Sequence, residues 1–310
     1  MQRGALKVMT LAPSGLPVWR VPVRYAPLLV PDTVNETLNG VLRSTGLPFV
    51  ARTVWGGTFH GNTADIIQRY IYLYGIWEPN LTAWLSHRLR PGDTFIDIGA
   101  NIGYYAVLAA RLVGSSGHVV AVEPFPTTRT ALVNNVTANG LTNIRIVAEA
   151  ASDADGTVPL FEAPVDNVGA SSIIAIPHFR PVGTVKARPL SEILSPEELQ
   201  RARVIKIDVE GVEVEAVHGL IPALRHVRPE CELVIEVGGA PPPARDARTA
   251  FRQIFDALRP LGFHCYQLTN SYAPRDYLAR RPALDRPRRV RHDITEETDL
   301  IFSATDAEYL

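Results

Sequence analysis

Apolar positions change their period along this chain, and the changes locate its elements. In "TFIDIGANIGYYAVLAA", Phe95, Ile96, Ile98 and Ala100 read as a buried strand and its exit, after which Ile102, Ala106, Val107 and Ala110 recur at helical spacing. The unit is strand, tight turn, helix, and such a turn gathers backbone amides at a helix N-terminus. "HVVAVE" predicts the next strand, residues 126–139 the next helix, and "IRIVAEAAS" a third strand. Residues 156–190 break the rhythm, with short strand-like pieces "TVPLFE", "SSIIAIP" and "TVKARPL" around a loop, "APVDNVGASS". After a short helix near residues 195–201 the alternation resumes: "VIKID", a helix through "VEVEAVHGL", "CELVIEV", then a helix over residues 245–261. The ending, "FHCYQLT" and "DLIFSA", predicts two strands joined by a long basic loop. Strands alternating with helices imply an α/β fold, a parallel sheet with helices on both faces.

Upstream, residues 1–60 are rich in Pro, Gly and Val and keep no period, which predicts an extension of short strands or loops, a candidate for substrate or dimer contacts. Residues 61–310 read as the main domain. It opens with a helical stretch, "TADIIQRYIYLYGIWEPNLTAWLSHRL", in which Ile67, Tyr70, Ile71 and Tyr74 share a face, and "RPGD" turns it into the first strand.

Composition narrows the classes. A chain of 310 residues with 46% hydrophobic content suits a large α/β domain with a proper core. The net charge of −1 favours neither nucleic acid nor an anionic membrane, and no N-P-P-Y motif for base flipping occurs. Cys231 and Cys265 form no CxxC pair, so neither a disulfide framework nor a zinc site is expected and a reducing cytoplasm is the default. Neither a signal peptide nor a transmembrane helix is expected, because the apolar stretches near the start are broken by Arg20, Arg24 and prolines.

The chemistry begins at "DIGANIG". A dinucleotide fingerprint reads G-x-G-x-x-G. Here Gly99, Asn101 and Gly103 follow Asp97 in the form of an S-adenosylmethionine turn, an acidic residue and then G-x-G-x-G with Asn in the middle place. Asn is the non-glycine residue that best tolerates a left-handed backbone. Asp97 could accept hydrogen bonds from the donor's ammonium. Glu123, twenty residues after Gly103, stands where an acid takes both ribose hydroxyls in doubly wound folds. Ser152 and Asp153, after the third strand, are candidates for the adenine rim. An NAD-dependent oxidoreductase would need the third glycine and a Tyr-x-x-x-Lys pair, and neither is present.

"GIWEP", "DIGANIGYY", "AVEPFP", "NVGASS" and "VIKIDVEGVEVEAVHGL", in that order over residues 60–305, resemble the FkbM family of methyltransferases. The resemblance implies a Rossmann-like class I methyltransferase fold: a mostly parallel seven-stranded sheet with an antiparallel last strand. It implies S-adenosylmethionine as cofactor, Glu78 as a pocket residue, and methylation of a hydroxyl on a sugar, glycolipid or natural product, with nitrogen as the alternative. "RPLSEIL" departs from the family pattern, with Ser191 where an acid is usual.

Methyl transfer to oxygen is an in-line displacement that needs the acceptor's proton removed by a base or a metal. Asp208, at the carboxyl end of the fourth strand, is the first candidate, followed by Glu210 in the loop beyond, with capping of the next helix as its alternative. Lys206 alternates with Asp208 and should face the same way, either paired with these acids or as an electrophile. Asp208 and Glu236 could hold a divalent cation such as Mg2+, although no D-x-D or H-E-x-x-H spacing supports one. Acceptor-side candidates are Asn167, Ser171, Ser172 and Glu236, with Tyr272 and Tyr277 for stacking. Seven arginines of the last loop, Arg275, Arg280, Arg281, Arg286, Arg288, Arg289 and Arg291, would suit a phosphate or carboxylate. The expected partner is thus a small molecule, glycosylated or anionic, and the extension is a candidate homodimer element.

Overall fold

The computed structural model describes residues 8–11, 17–20, 32–238, 243–277 and 285–310. Four short strands, β1 (Val8–Leu11), β2 (Pro17–Arg20), β3 (Pro48–Arg52) and β4 (Thr58–Asn62), form one small sheet in that order. Within the stretch expected to hold only strands or loops lies a helix, α1 (Asp32–Thr45). The expected helical stretch that follows is two helices, α2 (Ile66–Tyr74) and α3 (Pro79–Arg88). Gly75 ends the first in a left-handed conformation (φ 72°), its amide bonded to the Ile71 carbonyl, and Pro79 begins the second.

The main unit then runs β5 (Thr94–Ile98), α4 (Tyr104–Val113), β6 (His118–Val122), α5 (Pro126–Ala138) and β7 (Ile144–Val147). An excursion follows: β8 (Ala150–Ser152), β9 (Gly156–Glu162) and β10 (Arg180–Pro189), with α6 (Leu190–Ile193) and α7 (Pro196–Arg201). The chain returns through β11 (Ala202–Ile207), α8 (Glu213–Leu220), β12 (Glu232–Val237), α9 (Ala247–Leu258), β13 (His264–Leu268), α10 (Pro274–Tyr277), β14 (Arg288–Arg289) and β15 (Thr298–Ser303).

The sheet order is β14-β13-β15-β12-β11-β5-β6-β7. β15 pairs antiparallel with both β12 and β13, while β12, β11, β5, β6 and β7 run parallel. This is the expected class I arrangement with an eighth strand added, since the two-residue β14 from the last loop covers the β13 edge. The predicted third strand is divided. β7 stays in the main sheet, whereas β8 pairs with β10 (Ala187↔Ala150), helped by Arg188 binding Glu149 at 2.8 Å. "SSIIAIP" contributes one isolated pair, Phe161↔Ser172, rather than a strand.

β5 is buried throughout, as a strand covered on both faces must be. Side-chain alternation splits its residues between two cores. Ile96 and Ile98 join Ile205, Ile207, Leu233 and Ile235 under α8 and α9. Phe95 joins Val204, Val234 and the aromatic residues of α2, α3 and α4. Asp97 and Lys206 share the parity of Phe95 and Val204 and are register partners, so both lie on the α3–α4 side.

Candidate active site

The carboxyl ends of β5, β6 and β11 open on a cleft lined by Gly99, Glu123, Phe125, Ala150, Ala151, Ser171, Ile173, Asp208 and Val209, among others. Gly99 (φ 84°) is where the backbones of β5 and β11 meet: a Cβ there would fall 1.7 Å from the Asp208 carbonyl oxygen. Asn101 sits at φ 51°, and Gly103 at φ 86° opens α4. Glu123 ties the turn to β6. Its Oε2 accepts the Asn101 amide at 2.7 Å, and its Oε1 accepts the Phe125 amide at 2.9 Å and the Thr128 hydroxyl at 2.8 Å. Oε2, with one such bond, keeps acceptor capacity, and Glu123 is part of the cleft lining.

Behind the cleft, one lysine faces a ring of acids. Lys206 is 3% exposed and donates to Asp208 Oδ2 at 2.6 Å, with Nζ 5.1 Å from the Tyr105 ring centroid. Burial opposes its charge, but Asp208, Asp97, Glu78 and Glu236 outweigh that and hold its pKa above the ordinary lysine value. Although burial pushes Asp208 up, Lys206 holds it below the usual carboxylate range. Burial and the neighbouring negative charges, Asp208 foremost, push Glu210 and Glu236 well above it. Glu78 is buried at the head of α3. Tyr105 donates to its Oε2 at 2.5 Å and Tyr272 to its Oε1 at 3.0 Å, and the Tyr272 hydroxyl lies 3.4 Å from Glu236 Oε1. Asp299, from β15, is held by the Asn270 side-chain amide and lies within the electrostatic reach of Glu78, Lys206 and Asp208.

Asp97 differs from these. Both its carboxyl oxygens are buried without a hydrogen-bond partner among the described residues, and burial pushes its pKa up to about 7 against the pull of Lys206. Asp97 is not itself part of the cleft lining; it follows Ile96 and precedes the lining residues Ile98 and Gly99, and an orphaned buried carboxylate calls for a cationic or donor partner.

Gly99, Glu123 and Asp208 line the cleft; Asn101 is tied to Glu123, Lys206 to Asp208, and Asp97 is the register partner of Lys206, while Glu78 and Glu236 belong to the acid cluster around that lysine. Ser152 and Asp153 do not reach the cleft lining; they contact one another at 3.4 Å, because the divided strand puts Ala150 and Ala151 there instead. Glu213, not Glu210, serves the head of α8 by accepting the Gly211 amide at 2.7 Å, while Glu210 adopts φ 53° and its carbonyl accepts the Ser172 hydroxyl at 2.7 Å. Ser171 lines the cleft with its hydroxyl turned inward to the Val168 carbonyl at 2.7 Å, and Asn167 is exposed on the same loop. Tyr272 is not free for stacking on a ligand, since its ring already stacks on Trp77 (centroids 5.4 Å apart, 21°). Tyr277 is likewise buried against Tyr70 and Trp77. Arg280, Arg281 and the side chain of Arg275 lie outside the described residues. Arg289 and Arg291 pair with Asp306 and Glu308 at 2.6 Å, and Arg286 and Arg288 are exposed. Asp208, Glu210 and Glu236 place carboxylate oxygens within 4.8 Å of one another, a donor set of the hard-cation type that also occurs where no ion binds.

Comparison with known proteins gives this geometry its context. The family described as "Methyltransferase FkbM domain" matches residues 97–265, more than half of the chain. The chain belongs to the FkbM methyltransferase family. It is similar to the hexuronic acid methyltransferase AglP of Haloferax volcanii, 26% identical over 189 residues, covering 61% of this chain and 73% of AglP. A protein-L-isoaspartate O-methyltransferase of Methanococcoides burtonii is 32% identical over 101 residues, 32% of this chain and 47% of that one. Among solved structures, an S-adenosylmethionine-dependent O-methyltransferase from Thermotoga maritima aligns over 82% of this chain and 76% of its own, at 17% identity and TM-score 0.44.

This FkbM protein is an S-adenosylmethionine-dependent methyltransferase, and its residues fit the cofactor. Asp97, whose two buried oxygens have no hydrogen-bond partner among the described residues, would suit the ammonium of the bound donor, Glu123 in the cleft lining would suit its ribose hydroxyls, and Gly99 would leave room for close backbone approach. When bound, S-adenosylmethionine supplies an electrophilic methyl group on a sulfonium centre. No helix among the described residues is long and apolar enough to cross a membrane.

Proposed function

We propose that this methyltransferase acts on a hydroxyl of a small-molecule acceptor of the sugar, glycolipid or natural-product class, with Asp208 as the proton acceptor. The observation that carries the reading is the placement of Asp208: it lines the cleft, its backbone touches the Gly99 turn, and Lys206 at 2.6 Å keeps it ionised. A carboxylate held below its usual pKa is ready across the neutral range and takes the hydroxyl proton as the oxygen–methyl bond forms. Lys206 positions it, and Tyr105 and Tyr272 hold Glu78 behind it. On the cofactor side, Asp97 takes the ammonium and Glu123 the ribose hydroxyls. The name of AglP, a hexuronic acid methyltransferase, supports a sugar-type acceptor.

Tritiated S-adenosylmethionine with a panel of hexuronic acids, neutral hexoses and aliphatic polyols tests the acceptor class, and Asp208→Asn tests the role. The variant should lose about 100-fold or more in kcat on whichever acceptor is used, while S-adenosylhomocysteine binding stays near wild type. A variant with more than half of wild-type kcat, or a product methylated on nitrogen, refutes the reading.

A further inference from the structure

The wall of the cofactor cleft is held from outside the family-matched region. Residues 163–173 carry Ser171 and Ile173 to the cleft. On the cleft side the segment is fixed by the Ser172 hydroxyl on the Glu210 carbonyl, 2.7 Å. On the other side it meets α2 at Asp65. This residue is 3% exposed, and its two oxygens do different jobs. Oδ1 accepts the Gln68 amide at 3.0 Å and caps α2, whereas Oδ2 accepts the Val168 amide, 103 residues away, at 3.0 Å. The Ile66 amide adds a bond to the Asp166 carbonyl at 3.1 Å. Between the two anchors the segment presses on the cofactor turn: a Cβ at Gly169 would fall 2.9 Å from Asn101 Nδ2 and 3.0 Å from Ile67 Cδ1.

We propose that Asp65 is a positioning residue for the cofactor cleft: by holding the Val168 amide it seats residues 163–173 against the Asn101 turn and so completes the wall made by Ser171 and Ile173. Capping α2 needs only one of its oxygens, and the second is committed to the loop. Burial pushes Asp65 up to about 6, against the pull of the two amides and then of Arg69. Besides Arg69 on its own helix, Arg43 of α1 and Asp166 of the loop, paired with each other, are the charged groups at this junction. As pH falls through about 6, the carboxylate becomes a neutral acid and the Val168 amide loses its charged acceptor.

The test is calorimetric binding of S-adenosylhomocysteine to the full chain. Asp65→Asn retains a good helix cap, but its amide nitrogen cannot accept from Val168. Val168→Pro removes the donor from the other side, at the first position of a short 3-10 turn where a proline is tolerated. Each folded variant should bind about fivefold or more weakly than wild type at about pH 8, with a melting temperature within about 3 °C. The wild type should also lose more affinity than Asp65→Asn between about pH 8 and about pH 5.5. A folded variant that binds within twofold of wild type at the higher pH, or an unchanged pH dependence in Asp65→Asn, overturns the proposal. A wild-type chain that takes up no S-adenosylhomocysteine overturns it together with the cofactor assignment.

Discussion

Lys206→Met probes the charge balance of the site, because Met keeps a buried apolar stem of similar length while removing the cation and its position over the Tyr105 ring. The Nζ to Asp208 Oδ2 distance of 2.6 Å corresponds to about 6 kcal/mol of attraction at an effective dielectric near 20. Desolvation offsets much of this, and removing one partner of a buried pair typically costs about 3–5 kcal/mol. The cost here should depend on pH. Lys206 pulls down the pKa values of Glu78, Asp97 and Asp208, so all three rise without it. A carboxyl whose folded pKa lies above its unfolded value stabilises the fold at low pH, and that contribution is lost as pH rises through the folded value. Asp97 already stands at about 7 in the wild type, so the added loss falls in the neutral range. Urea unfolding should therefore show a deficit of about 3–5 kcal/mol at about pH 8 that shrinks by about pH 5, where Asp97 carries a proton. A deficit below about 1 kcal/mol at the higher pH, or one of equal size at both, would refute the claim that Lys206 neutralises this cluster.

Two further outcomes follow from local geometry. Gly99→Ala puts a Cβ 1.7 Å from the Asp208 carbonyl oxygen at φ 84°, so β5 and β11 must separate at the cleft. It should abolish measurable S-adenosylhomocysteine binding and cost well over the 1–2 kcal/mol that left-handed strain alone explains, as calorimetry and urea unfolding would show. Ser195→Ala removes the capping box that Ser195 shares with Glu198 at the head of α7. Its cost should be about 1 kcal/mol in stability with cofactor affinity unchanged, and a change in affinity would show that α7 is coupled to the cleft.

Much of the fold was legible because its signals are local. Near-continuous apolar runs mark strands covered on both faces, and the central strands read this way. The turn after β5 was legible for the same reason: its Gly, Asn and Gly identities report backbone conformations directly, and Gly99, Asn101 and Gly103 all adopt positive φ. α1 was missed although Leu38, Val41 and Leu42 have helical spacing, because surrounding prolines and glycines diluted the period; Leu38 and Val41 remain exposed. The third strand was read as continuous because nothing local marks the change of sheet after Val147, where β8 is drawn away by pairing with β10.

By itself, then, the sequence determined the alternating α/β order, the turn between Asp97 and Gly103, and the acids at the strand ends, since each depends on residues close together in the chain. Only the tertiary structure decided how those acids are used. It set a single lysine among them, locked Glu78 between Tyr105 and a Tyr272 that lies 194 residues away, turned the Tyr272 ring onto Trp77, and tied Val168 to Asp65. These pairings join distant segments through hydrogen bonds and buried charge, and no local period encodes which segments will meet.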